Sequence, residues 1–288
     1  MFLAEQLALS RAQVRRLLAR AAVSLDGRPA GESDKGRLLS EGQALSVEPF
    51  TRPGDERPEP EPGSAFCVLA EGPGWLALDK PPGTGVHPLR EGERGTLLGA
   101  VAARHPEIAG VGEGGLRSGV VHRLDVDTSG VLLFATREES WQRLRAAFAQ
   151  HRVEKRYRAV VQGHPRDGEV ELPLAVARHR PARVAVQPPG TPARSARLAR
   201  TAWRTLEEFP GAALVELRPV SGFLHQIRVT LAHLGHPVLG DRVYAEAAVA
   251  SAAPRQLLHA AELRFEEVEA ASPDPADFRA AQDALRAR

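Results

Sequence analysis

The sequence holds one cysteine, Cys67, so no internal disulfide can form, and no second cysteine or neighbouring histidine completes the ligand spacing of a zinc site. Cys67 therefore reads as a small buried apolar side chain. Long apolar runs are missing too. VLLFA, at 131 to 135, is among the longest, far below the roughly 20 residues of a membrane span. No secretory leader opens the chain, and the expectation is a cytoplasmic protein without membrane contact. Aromatic residues make up only 5% of the chain, too few for a surface that grips sugars by stacking. Lysine is almost absent: Lys35, Lys80 and Lys155 are the only ones, every other basic residue is arginine, and the net charge is just +2. Arginine's planar fork holds phosphate or carboxylate in bidentate fashion, which suits a nucleic-acid partner. A GC-rich genome would favour arginine codons as well, so the clustering of charge has to decide.

A chain of 288 residues suffices for one large domain and a small companion. Its first clear element opens at Ser10. SRAQ has the form of a capping box, with Ser10 capping the helix and Gln13 reaching back, followed by Val14, Leu17, Leu18 and Ala21 at helical spacing. Arg11, Arg15, Arg16 and Arg20 occupy the other face without an acid among them, the pattern of a helix lying along a phosphate backbone. VSLDGRPA then reads as a strand and a tight turn at Asp26 and Gly27, and EGQALSVE as a further strand. This order of helix, basic helix, hairpin and strand resembles the S-four RNA-binding module over residues 1–50, with the chain starting inside what would be the module's first helix. Residues 51–64, TRPGDERPEPEPGS, read as a linker.

From residue 65 to about 270 the apolar density rises, and strands outnumber helices without strict alternation. The expected fold class is α+β on a largely antiparallel mixed sheet, with a loop and short helix from 271 to 288 as a tail. GVGEGG, at 110 to 115, satisfies the dinucleotide pattern, but no strand feeds it and no helix follows, so it reads as a loop. HRLD has its aspartate one place late for a kinase loop, and Ser129 precedes a strand where a hydrolase nucleophile would need a strand-to-helix elbow. His122, His225 and His259 lack the partners of a metal site and read as structural histidines. No metal and no cofactor is expected.

What remains is HRLDVDTSG, at 122 to 130. Asp125 lies in a polar turn flanked by strands, with Asp127, Thr128 and Ser129 serving the turn and Gly130 letting it close. HRLDVDTSGVLLFA is similar to the signature of the RluA-type pseudouridine synthases. LDKPPGTGVHP (78 to 88), EKRYRAVVQG (154 to 163), SGFLHQIRVTLAHLGHPVLGD (221 to 241) and LLHAAELRF (257 to 265) agree with that family in order. The resemblance implies isomerisation of uridine in RNA, without metal or cofactor, and it assigns Asp125 as the reacting carboxylate, Arg228 as its charge partner, and Tyr157 as base-stacking residue and proton acceptor. Attack at the ribose, attack at the base ring and a glycal route stay open. Arg123 becomes the side chain that braces the space left by the flipped base. Lys80, His122, Thr128, Gly130 and His225 become supports of the site.

The family usually reads TGRTHQIR where this chain has SGFLHQIR, so Phe223 and Leu224 replace an arginine and a threonine. The substrate expected from the resemblance is RNA, foremost large-subunit ribosomal RNA, with transfer RNA as the alternative, acted on by a monomer without an obligate protein partner. A ribosome-assembly factor without essential catalysis is the rival from another class. A paired-carboxylate glycoside hydrolase is disfavoured because Asp125 and Asp127 lie too close in sequence to flank a sugar.

Overall fold

The computed structural model describes residues 2–51, 55–179, 181–188 and 196–288, in two compact units that meet in sequence near Arg52. The first unit carries helices α1 (Phe2–Gln6) and α2 (Arg11–Ala19) and strands β1 (Val23–Leu25), β2 (Arg28–Ala30) and β3 (Leu45–Val47), with β1 between the other two. The capping box forms as expected: Gln13 Oε1 accepts from the Ser10 amide and Ser10 Oγ from the Gln13 amide. Leu17 and Leu18 face the small core, whereas Arg11, Arg15 and Arg20 are exposed. The side chain of Arg16 lies outside the described residues. Asp26 and Gly27 both take positive φ, which matches the right-handed twist of the β1–β2 hairpin, and Asp26 ties the turn to the Ala44 amide.

The second unit is built on one mixed sheet. Its strands are β4 (Cys67–Gly72), β5 (Trp75–Lys80), β6 (Ser129–Ala135), β7 (Glu154–Gln162), β8 (Gly168–His179), β9 (Ala182–Val186), β10 (Arg197–Phe209), β11 (Ala212–Pro219), β12 (Leu258–Phe265) and β13 (Val268–Ala271). They run in the order β4-β5-β6-β12-β7-β11-β10-β8-β9, with β13 paired to β12. Every pairing is antiparallel except β6 with β12. Each residue of β6 is buried, as a central strand covered on both faces requires. Helix α3 (Leu97–Arg104) packs beside β5 and β6 through Leu97, Leu98 and Val101, while α4 (Glu138–Ala149) covers the other side through Leu144 and Ala147. Helix α5 (Gln226–His233) seats Ile227 and Leu231 against β7 and β11.

Three expectations are corrected by this architecture. The tail expected at 271–288 belongs to the core: after the short helix α6 (Ala247–Ala250), α7 (Ala276–Arg286) buries Phe278 and Leu285 in the same core as α5. The later part of the expected linker is docked, since Glu61 accepts from the Gly95 amide and its own amide donates to Gly99 O at the start of α3. Cys67 is exposed on edge strand β4. The glycine-rich loop at 110 to 115 has 3-10 turns on both sides and no helix at its end, as its reading as a loop requires.

Candidate active site

The start of β6 sets the position of the turn that carries Asp125. Gly130 lies where β6 runs parallel to β12 with φ +109°, and a Cβ there would stand 2.2 Å from Ala260 O, so glycine is required by the close approach of two backbones. The turn before it closes through the Thr128 amide donating to Asp125 O. Most of its other anchors come from distant segments. Lys80, fully buried, donates to Val126 O at 2.7 Å and to Pro81 O, and Gly83 N donates to the same Val126 oxygen. Arg255 donates to Asp127 O at 2.9 Å and is itself clamped by Asp277 of α7. Gln256 donates to Thr128 Oγ1. The Ser129 hydroxyl faces His259 Nδ1 at 3.0 Å, while His259 Nε2 donates to Ser272 O. His122 Nε2 accepts from the Leu133 amide, with its ring stacked on Phe148.

Asp125 stands at the wall of a cleft of about 670 Å³ that also exposes Tyr157, His225 and Arg228. One carboxylate oxygen, Oδ2, accepts from Arg228 Nη1 at 2.8 Å. The same guanidinium turns its Nε and Nη2 to Asp241, at 2.7 and 2.8 Å, in a bidentate pair. Asp241 in turn accepts from the amides of Val243 and Tyr244. Arg228 is 4% exposed and Asp241 not at all, so the fork cannot swing toward water. Asp125, which lines the cleft, has its other oxygen, Oδ1, 3.9 Å from His225 Nε2. Sequence reasoning passed over Asp241, although it closes the motif at 221 to 241, and also Arg255, Gln256 and Asp277.

Burial alters the electrostatics of these groups. Burial opposes the charge on Arg228 and on Asp241, yet their mutual hydrogen bonds win, holding the guanidinium above its usual range and the Asp241 carboxyl below its own. Desolvation lowers Lys80 to about 7, against the pull of Asp127 and Asp125, and lowers Lys155 to about 8. It brings His122 down to about 3, helped by Lys155 and Arg145, so this ring is neutral and accepts, as its bond to Leu133 requires. Burial first, and then the charge of Asp125, push the Tyr157 phenol upward, so it keeps its proton.

Around the cleft lie Arg117, Arg123, Arg145, Lys155 and Arg197, a basic rim suited to a polyanion. Arg123 is exposed beside the turn. Phe223 and Leu224 pack partly against an apolar cluster of Leu172, Leu174, Val184, Ala199 and Val229, so the two departures from the family pattern supply a hydrophobic wall where polar groups would be expected. The five anchors of the resemblance thus meet in space, with Asp125, Tyr157 and Arg228 on three separate elements of one cleft. The basic helix α2 belongs to the other unit. Among the described residues no group of three or more His, Cys, Asp or Glu side chains could hold a metal ion, and no helix is long and apolar enough to cross a membrane.

Comparison with known proteins agrees with this geometry. The family model for RNA pseudouridylate synthase matches residues 74–233. An uncharacterized RNA pseudouridine synthase of Mycobacterium bovis is 37% identical, over 99% of this chain and 92% of its own length. The ribosomal large subunit pseudouridine synthase D of Zymomonas mobilis is 33% identical, over 89% of this chain and 81% of its own. Among solved structures, human RNA pseudouridylate synthase domain containing 1 superposes with a TM-score of 0.62 at 26% identity, covering 79% of this chain and 98% of that one. The chain belongs to the RNA pseudouridine synthase family, enzymes that isomerise uridine in RNA to pseudouridine.

Proposed function

We propose that this synthase converts specific uridines of large-subunit ribosomal RNA, as a cytoplasmic monomer, with Asp125 as the reacting carboxylate. The observation that carries the role of Asp125 is its setting: it lines the cleft beside Tyr157, and its Oδ2 is locked by the buried Arg228–Asp241 pair. Arg228 aims the carboxylate inside a site that a bound nucleotide closes to water. The ribosomal target draws support from the relatives of Zymomonas mobilis and Nitrosomonas europaea, both called ribosomal large subunit pseudouridine synthase D, at 33% and 36% identity.

The reaction breaks the bond from uracil N1 to ribose C1′, joins C5 to C1′, removes the proton of C5 and leaves a proton on N1. Tyr157 supplies the aromatic platform for the base. Because its phenol keeps its proton in the resting site, it serves as a donor or relay and not as a phenolate base. In the ribose and glycal routes the carboxylate is free again once carbon is joined and takes the C5 proton, whereas after attack at the base ring loss of that proton accompanies departure of the carboxylate from C6. Arg123, exposed at the rim, fills the gap that the flipped nucleotide leaves in the RNA stack. Lys80, His122, Thr128 and Gly130 hold the turn. The first unit acts as an S-four-like RNA-binding module through the exposed face of α2.

Asp125→Asn is the direct test. Release of tritium from RNA carrying [5-³H]uridine falls to background, while RNA affinity stays within a few fold. Turnover by this variant would remove Asp125 from the mechanism. Mapping pseudouridine in a deletion strain beside its parent tests the target: loss at sites in large-subunit ribosomal RNA is expected, and loss confined to transfer RNA would overturn that part.

A further inference from the structure

The reading of Asp125 accounts for Arg228 and Asp241 and leaves the geometry of His225 unexplained. This residue precedes α5 with φ +52° and ψ 17°, a left-handed conformation that a side chain bearing Cβ adopts rarely, and it makes no capping bond there. A turn alone would be better served by glycine or asparagine, so the strain is held for what the imidazole reaches. Its Nδ1 meets the Tyr244 hydroxyl at 2.8 Å. That hydroxyl oxygen already accepts from the Val184 amide, also at 2.8 Å. With that lone pair taken, a phenol donating to Nδ1 uses its one proton inside the site, and the ring then carries its own proton on Nε2. The Tyr244 ring is pinned in turn, edge-on to His225 and beneath the Arg228 guanidinium.

The result is a fixed Nε2–H donor 3.9 Å from Asp125 Oδ1, both residues lining the cleft. The gap is too long for a direct hydrogen bond. It does suit a group that accepts from one side and donates to the other, since an oxygen about 2.8 Å from both atoms would subtend close to a right angle. A carbonyl or phosphate oxygen cannot donate to the carboxylate, and an amide N–H cannot accept from the imidazole. A hydroxyl does both. Of the groups that a uridine nucleotide in RNA brings next to its glycosidic bond, the ribose 2′-hydroxyl is the one with this property, and it is what separates RNA from DNA.

We propose that His225 Nε2–H and Asp125 Oδ1 together hold the 2′-hydroxyl of the target uridine, and that Tyr244 is the positioning residue that fixes the required tautomer. His225 is thereby a specificity-determining residue of the synthase reaction, selecting a ribonucleotide at the point of attack. Burial keeps the ring neutral against the pull of Asp125, as a histidine with one donor and one acceptor nitrogen requires.

The inference rests on Asp125 being the carboxylate that meets the nucleotide. Failure of that reading would show separately, as conversion by Asp125→Asn, whereas the test here is read by binding. The probe is a synthetic oligonucleotide spanning the uridine that the wild-type enzyme converts, whichever RNA it comes from, made with uridine or with 2′-deoxyuridine at that position only. Both are used to displace a labelled copy from the full chain. Wild type is expected to favour the uridine form about tenfold, the fold-change of one hydrogen-bonded hydroxyl. His225→Ala should bind both forms alike within twofold. His225→Gln, whose amide nitrogen reaches the place of Nε2, should keep most of the preference. Tyr244→Phe retains the imidazole and loses the proton that orients it, so its preference should fall below threefold. No preference in the wild type would overturn the inference, as would a full tenfold preference in His225→Ala or Tyr244→Phe. The wild-type comparison and the Gln variant keep the test decisive should His225→Ala fail to fold.

Discussion

Asp241→Asn tests whether the buried guanidinium fork, and not helix α5 alone, aims the reacting carboxylate. Asparagine fits the same space, but it offers one acceptor oxygen where Arg228 Nε and Nη2 now find two, and its amide N–H groups face the guanidinium N–H groups. The one retained oxygen is also wanted by the amides of Val243 and Tyr244. With Arg228 at 4% exposure and position 241 at zero, water cannot make up the loss. Breaking a buried pair typically costs 3–5 kcal/mol, and since Arg228 keeps Asp125 as a partner, about 3 kcal/mol is expected here. In a unit of this size that lowers the melting temperature by about 6 to 12 °C. The freed guanidinium lets Asp125 drift, and a misplacement on the order of 1 Å should slow single-turnover tritium release about 100-fold. The pH dependence has a definite sign. The folded-state pKa of Asp241 is depressed, so its contribution is complete above the ordinary carboxylate value of 3.8 and is lost as pH falls through the lowered one. The variant should accordingly lose less stability on acidification than wild type. Scanning calorimetry and single-turnover release on the same preparation decide it: an unchanged melting temperature with a wild-type rate would refute the reasoning.

Three further outcomes follow from other parts of the molecule. Gly130→Ala places a methyl 2.2 Å from Ala260 O at φ +109°, with backbone on the other side unable to yield, so it should fail to give a stable fold, seen as loss of cooperative melting. His122→Gln should flatten the acid limb of stability. His122 is neutral when folded, with a value of about 3 against 6.5 for the free ring, so wild type loses stability as pH falls from 6.5 toward 3 at up to ~1.4 kcal/mol per pH unit; urea unfolding at stepped pH would reveal equal slopes if the ring plays no part. In the first unit, Arg15→Gln with Arg20→Gln should weaken RNA binding and reduce the salt slope by roughly 1 for each phosphate no longer neutralised, and an unchanged slope would place the RNA elsewhere.

Much of the site could be read from the chain because its chemistry is concentrated in short contiguous motifs. The turn at 122 to 130, the strand that carries Tyr157 and the helix that carries Arg228 each announce themselves locally, through turn residues, alternation and helical spacing. The capping box at Ser10 and the turn at Asp26 were legible for the same reason: their hydrogen bonds close within a few residues. The β8–β9 hairpin was harder to see. Pro173 interrupts its alternation, and proline inside a strand pattern argues against a strand, although here it occupies a paired position opposite Leu198. The amphipathic stretch of α7 looked like a tail, because nothing local tells Phe278 and Leu285 which core they will enter.

The sequence by itself determined the local frames that present Asp125, Tyr157 and Arg228: a polar turn, a strand and a helix. Only the tertiary structure decided which oxygen of Asp125 is bound by Arg228, because that depends on Asp241 gripping the far side of Arg228. It alone brought Arg255, Gln256 and Asp277 to the catalytic turn, across more than a hundred residues. It alone brought the Tyr244 hydroxyl, held by the Val184 amide, to His225 Nδ1. Local propensities act over a turn or two of chain, whereas the direction of a buried hydrogen bond depends on every partner that burial forces together.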